Sequence, residues 1–386
     1  VMAKAHYGKG VYDQAQKYAE DIVATEPANF EALDLLSAIN LSRGFNTFNR
    51  GGERSQTLES LRNAISSAAK NRAQVFEIRL NQIGAATDAN RIELADIANR
   101  AGRYSLAIDA TQSAWRKDEL NAGLANRLIY AQIRAGRFSA ATQNALNYQK
   151  RGKPDAYGKA LIALLLNRGG EEQKSNDVMA EAVLDDSQNL GVRLAQAHLA
   201  LEQNRRSEFG KMLDALAADE PQSPEVMAYR TIAYELGNQY DAARSEFERG
   251  VKAEPALYDL YIQRGNQAVV FSQQSGLDSK EVEYQRQVAR VFYESALAAK
   301  PESFEAFTAL TILNMMENKR EEALRSGRNA TVAGPEYAAA HYAYAMVLSL
   351  QAKALQDARI KLEDERDRAR DNNLADEVKR LSDEAI

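Results

Sequence analysis

The chain of 386 residues contains no cysteine, which excludes disulfides, thiolate zinc sites and cysteine nucleophiles. It has one tryptophan, three histidines and seven prolines, and long spans carry no proline at all. Its longest apolar run, residues 160–166, is far short of the roughly 20 residues that cross a bilayer. No alternating Val/Ile/Thr segments lie between turn signals, so nothing reads as a sheet. What remains is rich in Ala, Leu, Glu, Gln, Arg and Lys, the good helix formers. The composition is that of an ordered, all-α protein.

Catalytic patterns are missing as well. His6, His198 and His341 are far apart in sequence and fit helix positions that touch neighbouring helices, so no clustered metal ligands are expected. No HExxH, GxxxxGK[ST], GxGxxG or GxSxG occurs, and Gly51–Gly52 lacks the following Lys of a phosphate loop. Acidic pairs such as Glu171–Glu172 and Asp185–Asp186 suit helix ends and turns. Asn40 and Asn329 match the glycosylation sequon but fall within expected helices. No enzymatic activity and no cofactor are expected.

Charge is unevenly spread. Residues 40–174 carry 21 Lys/Arg against 12 Asp/Glu, whereas the whole chain has 49 against 54, a net −5. A basic stretch followed by an acidic one could draw a polyanion to the first half, or could be solvated faces of uneven sign.

The most informative stretch is 90–149, where AGRYSLAIDATQSAW (101–115) is echoed by AGRFSAATQNALNYQ (135–149). Gly102 recurs as Gly136, Tyr104 as Phe138 and Ala107 as Ala141, each 34 residues on. That period marks a stack of helix–turn–helix units. Other windows carry the same signature: Gly10, Tyr12 and Ala15 with Pro27; Gly170 with Ala182; Ala215 with Pro221; Tyr240, Ala243 and Phe247 with Pro255; Tyr293 and Ala296 with Pro301; and Ala323 with Pro335. Proline stops one helix and suits the first turn of the next.

These small–aromatic–Ala spacings with proline punctuation resemble the tetratricopeptide repeat (TPR) family. The resemblance covers most of residues 1–352 and implies a right-handed superhelical solenoid of about ten repeats. Insertions are expected near 44–54 and 269–286. Residues 72–87 fit no repeat, and 353–386 are expected to be C-terminal capping helices. Asp88 is the expected N-cap of the regular array. The first residues fit the middle of a repeat helix and carry no signal-peptide pattern, so the chain reads as a processed form or a piece of a longer one.

The resemblance further implies a concave face, lined by the first helix of each repeat, that binds a protein or peptide. The groove-facing residues are expected to be Asp96, Asn99 and Arg100, then Asn126, Tyr130 and Arg134, then Asn167 and Arg168. Asn126, Tyr130 and Arg134 lie four residues apart and form one stripe. Arg forks and Asn amides suit a peptide's carboxylates and backbone. The Lys–Asn pattern of carboxylate-clamp TPRs is absent, so that ligand is not implied. Later windows offer Tyr229, Ile232 and Glu235, then Ile262 and Asn266, then Ile312, Met315 and Met316, as groove or as core. Phe45, Phe48 and Arg50 in the first insertion are contact candidates or edge packing.

The reading is therefore a non-enzymatic protein-interaction scaffold. A bacterial envelope scaffold for polysaccharide export or secretion and a polyanion or nucleic-acid binder through 40–174 stand as alternatives. The compartment is left open between the cytoplasm and a bacterial periplasm or envelope.

Overall fold

The computed structural model describes residues 2–50, 54–83, 87–254 and 257–384. Among the described residues it is all helix, with no strand. Helices pair as α1 (Met2–Gly8) with α2 (Tyr12–Thr25), α3 (Phe30–Arg50) with α4 (Arg54–Ile83), α5 (Asp88–Arg100) with α6 (Tyr104–Trp115), and α7 (Ala122–Arg134) with α8 (Phe138–Arg151). The series continues with α9 (Ala156–Arg168) and α10 (Glu172–Asp185), α11 (Leu190–Glu202) and α12 (Arg206–Asp219), and α13 (Pro224–Leu236) and α14 (Tyr240–Ala253). Then come α15 (Tyr258–Ser272) and α16 (Ser279–Ala299), α17 (Phe304–Met316) and α18 (Arg320–Ala333), and an unpaired α19 (Ala338–Glu384).

Two ladders in the sequence set the repeat. The first is a row of side-chain caps at the start of five inner helices: Thr87, Asn121, Asp155, Asn189 and Ser223 all accept from the backbone N–H three residues on. Each satisfies one of the N–H groups a helix start leaves unpaired. The expected cap at Asp88 is one residue late; Thr87 fills the role and Asp88 opens the helix. The second ladder is the left-handed residue after the same five helices: Gly102, Gly136, Gly170, Asn204 and Asn238 all have positive φ, between 55° and 81°. Their spacing is again 34 residues. The N–H of the next residue reaches back to the carbonyl five residues earlier, as in Arg103 N–H to Ala98 O at 2.8 Å, which closes a Schellman turn. The chain reverses within two residues and needs no side-chain cap on the outer helix.

Where the left-handed residue is missing or used otherwise, the repeat changes. Gly44 stands 34 residues after Gly10 but lies inside α3; a Cβ there would come within 2.3 Å of the Ala64 Cβ. Glycine here permits close helix crossing instead of a turn. The insertion expected at 44–54 is therefore an extension of α3 as far as Arg50, and α4 runs unbroken through most of 72–87 to Ile83. Phe45 is buried and Phe48 half-buried, so both are packing residues, while the Arg50 side chain, Gly51, Gly52 and Pro255 lie outside the described residues. In the second insertion most of the extra residues lengthen α16 at its start, leaving a short loop around Gly276. Ala352 stands where Asn318 would recur, and with no left-handed residue α19 continues straight. The expected boundary at 352, with separate capping helices beyond it, is thus replaced by one 47-residue helix.

Consecutive pairs pack on each other, and the superhelix also touches itself. The pair α3–α4 packs against α14 and α16. Phe45 meets Phe247 edge-on at 5.7 Å, and Phe247 meets Phe292 at 5.3 Å. Beside them Arg72 donates to both oxygens of Glu254, at 3.1 and 2.8 Å, and to Asp34 at 2.6 Å. A turn later, Gly102 backs onto Lys300 and Gly136 onto Phe304. Gly136 therefore answers two demands, a φ of +70° and a Cβ that would fall 2.8 Å from the Phe304 ring, whereas Gly170, at +81°, has open space. Gly136→Ala is expected to cost about 2–4 kcal/mol and Gly170→Ala about 1 kcal/mol. Urea titration of the two variants checks the difference.

Candidate functional site

The inner helices converge on an interior where the early and late repeats face each other. Arg134, at the end of α7, donates from Nη2 to Asp259 of α15 at 2.6 Å and from Nε to the Tyr104 hydroxyl at 3.3 Å. Its guanidinium lies 4.9 Å from the Tyr258 ring centre. Behind it Lys300, 1% exposed, donates to the Arg134 carbonyl at 2.9 Å, the Tyr258 hydroxyl at 3.1 Å and Glu305 at 3.3 Å. Its ammonium also lies within 5.0 Å of the Tyr104, Tyr258 and Phe304 ring centres. Burial lowers its pKa to about 8, against the pull of Glu305.

The inner helices α7, α9 and α13 bring Tyr130, Tyr157 and Tyr229, all half-buried. Burial pushes all three phenols above their ordinary range, so they are protonated donors at neutral pH. Tyr229 shares a hydrogen bond with His198 Nδ1 at 3.1 Å, and His198 Nε2 lies 3.2 Å from Glu202. Burial opposes ionisation of Glu202, but His198, Arg168 and Asn167 outweigh it and hold its pKa at about 2.

The expected groove residues divide as follows. Asp96 is held by Arg127 in a two-pronged pair at 2.6 and 3.0 Å. Asn99 is half-buried with an unpartnered Oδ1, and Arg100 is exposed. Asn126 is buried, bonded through Nδ2 to the cap residue Asp155 at 2.8 Å. Asn167 and Arg168 both donate to Glu202 at 3.0 Å, and Arg168 also lies 4.4 Å from the Phe138 ring centre. The arginines on which carboxylate recognition would depend, Arg134 and Arg168, are thus matched by the chain's own acids. The uneven charge has the same cause, because the basic stretch is paired across the superhelix: Arg62 with Glu294, Arg72 with Glu254 and Arg134 with Asp259.

Sequence reasoning missed Asp259, Lys300, Tyr157 and the His198–Glu202 pair as members of this interior. Their contacts span turns of the superhelix, and only the charge asymmetry hinted at them. In the later windows Ile262 is buried and Ile232 is half-buried against the core between α11 and α13, while Tyr229 is half-buried on the interior wall described above. Asn266 is exposed and accepts from the Tyr293 hydroxyl at 2.8 Å. Ile312 is exposed, and Met315 borders a groove of about 240 Å³ beside Leu324, Val347 and Leu350. Among the described residues no group of three metal-ligand side chains occurs, and no helix is long and apolar enough to cross a membrane.

No family model and no curated protein matches the sequence. Solved structures do. Human IFIT1, solved as a dimer with PPP-AAAA, is similar at 12% identity and a TM-score of 0.50, over 89% of this chain and 86% of that one. A tetratricopeptide repeat protein from Parabacteroides merdae is 14% identical over 68% of this chain and 98% of its own, with a TM-score of 0.45. A thermophilic TPR protein of Thermus thermophilus is 19% identical over 50% of this chain and 98% of its own, with a TM-score of 0.42. The chain has the tetratricopeptide repeat fold. Among the described residues the helices form nine TPR-like pairs and a solitary final helix, with the inner helices α5, α7, α9, α11, α13, α15 and α17 around the interior described above.

Proposed function

We propose that this chain is a non-enzymatic TPR scaffold that holds a protein or peptide partner on its inner face. The observation that carries the reading is the half-buried wall of Tyr130, Tyr157 and Tyr229, set on a frame fixed by turn-to-turn ion pairs. A rigid frame presenting amphipathic rings is what recognition surfaces use, because rings give contact area at little entropic cost. The polyanion reading is weaker, since the cations of 40–174 are so often matched internally, and the envelope setting remains a proposal about location alone.

A photo-crosslinking residue at position 225 tests the inner face; Glu225 is exposed and electrostatically close to Tyr130. The control is position 184, where Leu184 is 86% exposed on the outer helix α10. Adducts with a captured partner are expected at 225 and not at 184. Adducts confined to 184 would remove the inner face from consideration.

A further inference from the structure

The final helix α19 has no outer helix beside it, and the face that one would cover is open. On the preceding inner helix, α17, Thr308, Thr311 and Asn314 are buried. Two of them sit beneath the outer helix α18, Thr311 against Gly327 and Asn314 donating to Ser326 Oγ at 3.2 Å. The residues 34 positions on are Tyr342, Ala345 and Leu348 of α19, and all three are exposed, Tyr342 at 69% and Leu348 at 43%. Ala338, His341, Ser349 and Ala352 continue the same face and are exposed too. Because α19 runs straight past Ala352, it does not turn back to cover itself. Residues 338–352 include no Asp, Glu, Lys or Arg, in a chain where these make up 27%. An open helix face without charge that carries Tyr, Leu and Ala has the make-up of an interface core, not of a solvated surface.

We infer that a second copy of this chain covers the face, in a two-fold dimer built on an antiparallel pair of α19 helices. The face is complementary to itself about Ala345. Turned antiparallel, the second helix sets Ala345 on Ala345, Ala338 on Ala352, His341 on Ser349 and Tyr342 on Leu348, each pair being equally far from the centre. Alanines meet at three levels, which lets the axes approach, and Tyr342 with Leu348 fills the space between them. Antiparallel is also the direction each outer helix takes along its inner helix, so the copy enters as the missing outer helix would. Charge agrees at both ends. Exposed Lys353 follows the face and exposed Glu336 precedes it, so each lysine comes to the partner subunit's Glu336. Parallel pairing would instead set Lys353 beside Lys353 and Asp357 beside Asp357. The inference stands apart from the inner-face reading and needs no bound partner.

Sedimentation equilibrium of the full chain is expected to show a mass rising toward twice 42.7 kDa between about 1 and 100 µM, the range of a small interface. Ala345→Glu puts two carboxylates face to face on the two-fold axis. It should weaken the dimer about a hundredfold or more, with the melting temperature at about 1 µM unchanged because the residue is exposed in the single chain. Leu184→Glu adds the same charge on α10 and should leave the dimer intact. The lack of cysteine lets oxidation read the register. Ala345→Cys alone is expected to give a covalent dimer, as is Ala338→Cys mixed with Ala352→Cys, whereas Ala338→Cys alone is not. A chain that stays monomeric up to about 100 µM, or a dimer that Ala345→Glu leaves intact, overturns the inference. Covalent dimers from Ala338→Cys alone overturn the antiparallel pairing.

Discussion

Truncating Lys300 to alanine is expected to lower the unfolding free energy by about 3–5 kcal/mol, the scale of breaking a buried, hydrogen-bonded charge from one side. The ammonium is the common partner of the Arg134 carbonyl, the Tyr258 hydroxyl and Glu305, and three rings enclose it. Removing it strands those acceptors and leaves a gap between α7 and the start of α17. Lys300→Met, which keeps the stem and drops the charge, should cost less than half as much. The lysine also has a pH signature. With a folded pKa of about 8 against an ordinary 10.5, it is charged in both states below pH 8, and its cost is then complete. Between 8 and 10.5 the unfolded chain binds more protons, so its contribution to stability rises with pH there. Urea titrations of wild type and both variants at pH 7 and pH 10 check these outcomes. A loss under about 1 kcal/mol for the alanine variant would show that Lys300 is not a pin between turns.

Glu235→Gln is expected to act through pH in the opposite sense. Burial pushes the Glu235 carboxyl up to about 8 despite the attraction of Arg264, and its Oε1 has no hydrogen-bond partner. The folded protein keeps this proton up to about pH 8, whereas the unfolded chain releases it near the ordinary 4.5. Between those values the unfolded state binds fewer protons, so stability falls as pH rises and is flat above pH 8. The loss is on the order of 3–5 kcal/mol across the window. Glutamine does not titrate, so the variant should gain that much on wild type between pH 4.5 and pH 8. Parallel pH–stability curves for the two proteins would show that Glu235 is ionised in the fold at neutral pH.

The repeat was legible because its physics is local. A glycine at the left-handed turn and an aromatic two residues later are written into the clearest windows, as Gly102 with Tyr104 and Gly136 with Phe138. The asparagine turns at Asn204, Asn238 and Asn318 obey the same rule and were less visible, since asparagine adopts this conformation less often than glycine does. The caps from Thr87 to Ser223 could have been read from the same spacing. What stayed hidden is what lies between turns. Nothing near Arg134 in sequence points to Asp259, 125 residues away, and nothing near Arg72 points to Glu254. Arg134 and Arg168 therefore looked like open donors when they are internal struts. The insertion expected near 44–54 failed for a related reason: the role of Gly44 is set by Ala64 on the neighbouring helix, which the turn pattern cannot reveal.

The ties between distant repeats change how the molecule should come apart. An ordinary solenoid behaves as a zipper, each unit leaning on its neighbours, so that it can fray from either end. Here the aromatic knot of Phe45, Phe247 and Phe292 and the clasp at Lys300 join segments far apart along the chain. Between α3 and α17, releasing one repeat would mean breaking ties to another turn, while α1, α2 and α19 lean only on their neighbours. These ties brace the curvature of the wall inside the array through contacts that neighbouring repeats alone do not make.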